Sequence, residues 1–299
     1  MSRTVRRGAF ALLATSVLSL PPAQAADPAP SGSGSFTATV AGFVDDADGT
    51  SLDLDLGWQP TAWLGLNAGF GNAESSSDLA DLSGDSLRAG IDVHGRALGA
   101  RLDWRKWQDD GQFKSDTLGG ELYWSGGGWS VGLLLEQRDF TVDYTVTILN
   151  RTVERSVSFD GVGIGAQATW SGERWNGYLR GVSYDYDDTL DRVLAAAQQP
   201  NLARFPRIQA LVGSLLTRSA SAIDHDVGIG IERAFQRSGL RLDVALSRDA
   251  ISGADSRSVS VGWRYALSPR FDLDATIGQS DSDDLDGVGY AGLALTFRN

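Results

Sequence analysis

Cysteine is missing from all 299 residues, so neither disulfides nor thiolate metal sites can contribute to the fold. Proline is scarce as well: outside residues 1–35 only Pro60, Pro200, Pro206 and Pro269 occur. Long stretches are therefore free of the residue that interrupts a backbone hydrogen-bond ladder. Basic residues are outnumbered 26 to 38, for a net charge of −12. A surface so short of lysine and arginine cannot neutralise phosphate, which excludes nucleic acid as a partner. Histidine occurs only at His94 and His225. Beyond Leu20 no apolar run approaches the roughly 18 residues that a helical membrane span needs. Glycine (36 residues) and tryptophan (9) are what the chain has in quantity, and both recur in patterns taken up below.

The first 25 residues stand apart. Arg3, Arg6 and Arg7 precede an apolar run from Gly8 to Leu20, Pro21 and Pro22 break it, and Ala23-Gln24-Ala25 offers small residues for cleavage. This is the layout of a secretory signal peptide, residues 1–25. Its removal takes away three arginines, so 23 basic residues face 38 acidic ones and the charge becomes −15. Residues 26–35, rich in Pro, Gly and Ser, read as a flexible leader. The remainder, 36–299, reads as one domain.

From Phe36 onward a period of two dominates. Leu52, Leu54, Leu56 and Trp58 alternate with Asp53, Asp55 and Gly57; Leu240, Leu242, Val244 and Leu246 alternate with Arg241, Asp243 and Ala245. Such alternation means strands with one apolar and one polar face. Fourteen such runs are predicted, at 36–44, 51–58, 63–71, 86–94, 97–107, 116–125, 129–148, 153–170, 174–186, 225–235, 239–249, 256–266, 270–280 and 287–297. Twelve or sixteen remain possible, because 129–148 and 153–170 are long and the parity slips around Asp160 to Val162.

The connections alternate in character. Gln59-Pro60-Thr61-Ala62, Ser125-Gly126-Gly127-Gly128, Ser171-Gly172-Glu173-Arg174 and Gln236-Arg237-Ser238-Gly239 are tight. Asp45-Asp46-Ala47-Asp48, Glu74 through Asp85, Asp109-Asp110 and Asp281 through Asp286 are acidic, and several are longer. All four late prolines fall in predicted turns or loops. Trp58 with Trp63, Trp124 with Trp129, Trp170 with Trp175, and Tyr265 with Phe271 bracket the short turns. These eight rings would form an aromatic girdle at the periplasmic membrane interface. Trp63 breaks the pattern: the outward parity of Leu64, Leu66, Ala68 and Phe70 turns it inward unless a bulge intervenes.

Strand number, strand length, turn asymmetry and aromatic placement together resemble the porin-like β-barrel proteins of Gram-negative outer membranes. The closing run Ala291, Leu293, Leu295 and Phe297 is similar to their terminal strand, although Arg298 and Asn299 follow the aromatic residue. The resemblance implies an antiparallel, up-and-down transmembrane barrel in the cell outer membrane. It also implies contact with outer-membrane lipid and lipopolysaccharide, and assembly by barrel-insertion machinery.

If the apolar stripe faces lipid, the polar stripe faces inward, because a mid-bilayer arginine on the lipid side costs about 2–4 kcal/mol. Parity then assigns to the interior Asp53, Asp55, Arg88, Asp92, Arg101, Asp103, Arg105, Glu121, Glu136, Arg138, Arg180, Asp226, Glu232, Arg241, Asp243, Arg264, Asp272 and Asp274. Eleven acids against seven arginines predict a channel for small hydrophilic solutes with a mild cation preference. The same residues also fit a second reading, in which they pair with one another structurally. Alternatives for the whole molecule are a barrel-borne surface hydrolase (protease or lipase) and a surface binding or structural barrel without transport.

Between Asp187 and Asp224 the period lengthens to about 3.6. Ile208, Leu211, Val212, Leu215 and Leu216 form the apolar stripe of a helix in a long outer loop. That helix could constrict the mouth, lie on lipid or bind a partner. A hydrolase would draw on His94 or His225, yet parity sends His225 toward lipid and both Asp224 and Asp226 inward. Asp46-Ala47-Asp48-Gly49 and Asp284-Leu285-Asp286-Gly287 resemble fragments of calcium loops without the closing glutamate, and read equally as solvated turns. Gly90, Gly228, Gly230 and Gly262, inside strands, read as sites of curvature or close packing. No cofactor or metal is predicted.

Overall fold

The computed structural model describes residues 34–76, 81–109, 113–148, 151–187, 222–250, 253–283 and 285–299. The predicted signal peptide, almost all of the leader, Pro200, Pro206 and the helical stripe from Ile208 to Leu216 lie outside these residues.

Fourteen strands follow in chain order: β1 (Ser35–Asp45), β2 (Gly49–Thr61), β3 (Leu64–Ser76), β4 (Asp81–His94) and β5 (Leu98–Asp109). Next come β6 (Phe113–Gly126), β7 (Trp129–Ile148), β8 (Arg151–Ser171) and β9 (Trp175–Tyr186). After the long connection come β10 (Ile223–Ala234), β11 (Ser238–Asp249), β12 (Asp255–Ser268), β13 (Phe271–Ser282) and β14 (Leu285–Arg298). Consecutive strands pair antiparallel, and β1 pairs with β14 from Thr37↔Arg298 to Asp45↔Tyr290, closing the barrel. Closure leaves no sheet edge, which is the condition for a β-structure to stand in hydrocarbon.

The alternation in sequence becomes two faces in space. Leu122, Leu133 and Ile164 are 69%, 70% and 67% exposed on the outer face of β6, β7 and β8. Leu54, Leu102, Val131, Leu179, Ile229, Leu242, Val261, Ile277 and Leu293 continue this belt around the cylinder. A continuous exposed apolar surface of this kind is incompatible with a water-soluble monomer and fits a lipid-facing wall. No helix among the described residues is long and apolar enough to cross a membrane; the strands are the crossing elements.

The strands run further than the period-two stretches in several places. Glu74 ends no strand: β3 continues to Ser76 and β4 already begins at Asp81, so most of the predicted acidic loop from Glu74 to Asp85 is sheet. Above the apolar belt both faces can be polar, and the ladder continues where alternation has stopped. The same reasoning resolves Asp160. Pairing of β7 with β8 runs without a break from Trp129↔Trp170 to Ile148↔Arg151, so there is no slip. Asp160 stands exposed on the outer face, opposite Asp139 and beyond Val162. The long loop is also shorter than 187–224, since Ile223 and Asp224 belong to β10.

Two corrections come from one bulge. The β2–β3 register shifts between Trp58 and Thr61, and Pro60 sits within β2, not in a turn. A bulge leaves residues outside the ladder, which is where a strand tolerates proline. The shift also leaves Trp63 outside β3 and exposed, so its ring escapes the inward parity. At the β6–β7 connection Gly127 and Gly128 have φ of 63° and 83°. Two successive positive φ values make the tight two-residue turn whose twist matches that of the flanking strands.

The outer wall yields a direct expectation. Leu133→Arg, at the centre of the apolar belt, should destabilise the folded barrel in lipid vesicles by about 2–4 kcal/mol in urea titration. The same change at Asp139, beyond the belt on the same strand, should be close to neutral.

Candidate functional site

The inner face carries the chemistry. All eighteen charged residues assigned inward by parity sit on the face opposite the apolar belt, and they form chains of ion pairs across neighbouring strands. Arg88 on β4 reaches over β3 to Asp53 at 3.1 Å and Asp55 at 3.0 Å on β2. It can do so because β3 presents Gly69 and Gly71 between them. Arg101 bridges Asp92 at 2.9 Å and Glu121 at 3.2 Å. Tyr123 donates its hydroxyl to Asp92 at 2.7 Å, and Gln167 donates to Glu121.

Glu136 on β7 is the centre of the densest group. Its side chain is 6% exposed and meets Arg180 at 2.6 Å, Arg138 at 3.2 Å and Arg105 at 3.6 Å. Tyr184 donates its hydroxyl to Glu136 at 2.8 Å and accepts from Arg138 at 2.5 Å. Arg180 continues to Asp226 at 2.9 Å, and Arg105 also pairs with Asp103 at 3.2 Å. Toward the short-turn end Arg241 pairs with Asp243 at 2.7 Å, and Tyr178 donates to the same carboxylate. Arg264 lies 3.2 Å from Asp274 and 3.9 Å from Glu232, while Arg298 pairs with Asp272. Each of the eleven acids therefore has an arginine partner. The arginine that completes the set is Arg298, one of the two residues that follow the terminal aromatic.

Glycines make room for these side chains. A methyl group at Gly119 would stand 2.6 Å from the carboxylate of Asp103, and one at Gly84 2.6 Å from the Trp107 ring. Large inward side chains thus lie flat against the wall over a bare backbone on the adjacent strand. Of the four strand glycines singled out in the sequence, Gly90 and Gly230 act as sockets of this kind, under Asn67 and under Tyr178 with Asp243.

Alternation of charge did not reveal the inner aromatics. Phe113, Phe140, Val142, Phe159 and Ala222 form a buried cluster at the long-loop end, with Trp107 and Tyr186 packed against it. The rings of Phe140 and Phe159 stack at 4.9 Å, and Phe113 lies 6.0 Å from Phe140. These residues share inward parity with Glu136 and Arg138. They lie beyond the lipid belt, where the outward residues of β7 have turned polar (Gln137, Asp139, Thr141). The signal was present as an inversion of the pattern, apolar residues crossing to the polar parity after Leu135.

At the short-turn end, Trp58, Trp63, Trp124, Trp129, Trp175 and Phe271 are exposed outward. Trp170 and Tyr265 are half-buried, their rings 6.0 Å from Trp129 and 5.5 Å from Trp263. Trp263, Phe235 and Leu267 also stand exposed.

The histidines require a correction. Asp226 faces inward to Arg180, but Asp224 does not join it. A register shift between Ile223 and His225 swings the Asp224 carboxylate out to within 3.2 Å of His225 Nδ1. Arg248 approaches the same carboxylate at 4.0 Å, and all three side chains are about half exposed. His94 lies 3.6 Å from Asp92 at the opposite end. At the first calcium-like fragment, Asp45 accepts hydrogen bonds from the backbone of Ala47 at 2.9 Å and Gly49 at 2.7 Å. Asp46 accepts from Gly289 at 3.1 Å. These carboxylates organise a turn, and no cluster of metal-ligating residues occurs among the described residues.

No protein-family model and no curated protein matches the sequence. Solved structures do. The monoaromatic hydrocarbon channel CymD aligns over 93% of this chain and 92% of its own, with a TM-score of 0.50 and 11% identity. A loop-deletion mutant of OmpT, an outer membrane protein of Vibrio cholerae, aligns over 89% and 98%, with a TM-score of 0.49 and 8% identity. The fold is that of the porin-like outer-membrane β-barrels. Identities this low carry the fold and nothing of the solute.

The Glu136 group yields a prediction. Glu136→Gln leaves Arg105, Arg138 and Arg180 facing one another without their carboxylate, and breaking such a buried set costs about 3–5 kcal/mol. Urea titration of the refolded barrel should register that loss. Adding Arg180→Gln to the same protein should recover part of it.

Proposed function

We propose that the barrel stands in the outer membrane with its short turns in the periplasm and conducts small hydrophilic solutes passively, with a mild preference for cations. The observation that carries this reading is the division of the wall: an unbroken apolar face outside and a face of paired charges, tyrosines and hydroxyls inside. A fourteen-stranded cylinder falls between eight strands, whose interior side chains fill, and the sixteen to eighteen that enclose an aqueous channel. Side chains that lie over glycine sockets hug the wall, as an open lumen requires. Asp–Arg pairing accounts for most of the interior charge. The cation preference rests on the excess of acids among the eighteen residues and on Asp55, whose side chain, although paired with Arg88, is 48% exposed to a passing ion. Shorter acid-rich connections at the outer end add to the same field.

The hydrolase alternative gains nothing from His225: its aspartate is shared with Arg248 at an exposed site, a surface ion cluster in character.

Planar-bilayer recording of the refolded protein should give unitary conductance steps, with a reversal potential in a potassium chloride gradient displaced toward the cation side. Asp53→Asn with Asp55→Asn removes two acids and frees Arg88, so that potential should move toward zero or reverse. A well-folded barrel that gave no steps would refute the channel reading.

A further inference from the structure

Arginines inside the barrel and arginines at its short-turn rim live in different circumstances. Every inner arginine described above meets a carboxylate. Arg174, Arg233 and Arg237 are exposed, and among the described residues no carboxylate lies within salt-bridge distance of any of them. They are also neighbours. Arg233 is the cross-strand partner of Trp175, which follows Arg174 directly. The carbonyl of Arg174 accepts a hydrogen bond from Ala234 at 2.8 Å, which fixes the β8–β9 turn beside the end of β10. Arg237 lies in the next turn, whose chain reversal is closed by Phe235 donating to Ser238 at 2.7 Å.

The apolar surroundings set the depth of this group. The guanidinium of Arg233 lies 5.3 Å from the ring centres of both Trp175 and Phe235. Both rings are exposed outward, 46% and 53%. A guanidinium held between two outward aromatics at the edge of the apolar belt is pinned at headgroup height, its stem along the rings and its N–H groups toward water. The basic group is the densest on this rim: the β2–β3 and β6–β7 connections carry no charge, the β4–β5 and β12–β13 turns carry one arginine each, Arg96 and Arg270, and Glu173 is the one acid in the two turns concerned.

We propose that this patch binds the phosphate of an anionic phospholipid in the periplasmic leaflet, with Arg174, Arg233 and Arg237 supplying the hydrogen bonds and Trp175 and Phe235 bordering the acyl chains. Guanidinium suits phosphate because its planar fork donates two parallel hydrogen bonds. The headgroup supplies the anion that the described residues do not. The assignment rests on the barrel being embedded in lipid with the sidedness given above, and is independent of conduction.

Native mass spectrometry of protein taken from vesicles of mixed phosphatidylglycerol and phosphatidylethanolamine provides the test. The native chain should retain phosphatidylglycerol preferentially. Each arginine near a charged surface contributes about 1 kcal/mol, or about fivefold. Arg233→Gln should then lower retention about fivefold, and the triple change at Arg174, Arg233 and Arg237 about a hundredfold. Arg96→Gln, on the same rim in the β4–β5 turn, should leave it unchanged. Heat-modifiable gel mobility and the β-sheet circular dichroism of each variant establish that the barrel is intact. Equal retention by the triple variant would overturn the proposal, and so would an equal loss in Arg96→Gln, which would mean diffuse attraction only. A triple variant that kept its lipid but lost co-sedimentation with purified peptidoglycan would assign the patch to the cell wall, and would also overturn it.

Discussion

Inside hydrocarbon every backbone N–H and C=O must find a partner within the protein, and the rest of this structure depends on that demand. A sheet can meet it only by having no edge, so β1 must return to β14. Once the cylinder closes, each strand has one face toward lipid and one toward the axis. The pleat then dictates the destination of every side chain. Leu133 and Glu136, three residues apart on β7, end in opposite media for this reason alone.

Closure sends the polar residues inward and brings a second requirement with it. Charges gathered in a confined interior need partners, and the chain provides them mostly between strands, with Arg105–Asp103, Arg138–Glu136 and Arg241–Asp243 paired two residues apart on one strand. Arg88 reaches over a glycine strand to two aspartates; Glu136 draws arginines from three different strands. The glycines that look like interruptions in the strands are the spaces into which these long side chains lie. Beyond the lipid belt the constraint relaxes, both faces can change character, and the inner wall turns aromatic at Phe113, Phe140 and Phe159.

The fourteen strands and their faces were legible because alternation is a local property, written in residues two apart. What depended on a neighbouring strand was not legible. Pro60 and Trp63 both follow from a bulge in the β2–β3 register, and Asp224 from another in β10–β11. The extension of β3 and β4 through acidic residues could not be read from a period that needs an apolar face. Tyr123, Tyr178 and Tyr184 are invisible as site residues until the register sets each hydroxyl against a carboxylate on another strand or across the wall. The identity of each ion pair belongs to the same class: the sequence names the charges, and the register chooses the partners.

The absence of cysteine allows the central claim to be tested one residue at a time. Single cysteines placed at each position from Val131 to Glu136, spin-labelled in lipid vesicles, report collision with oxygen dissolved in the bilayer and with a water-soluble nickel chelate. The account predicts oxygen maxima at 131, 133 and 135 and nickel maxima at 132, 134 and 136, strictly out of phase. Nickel access at all six positions, or the reverse phase, would contradict it.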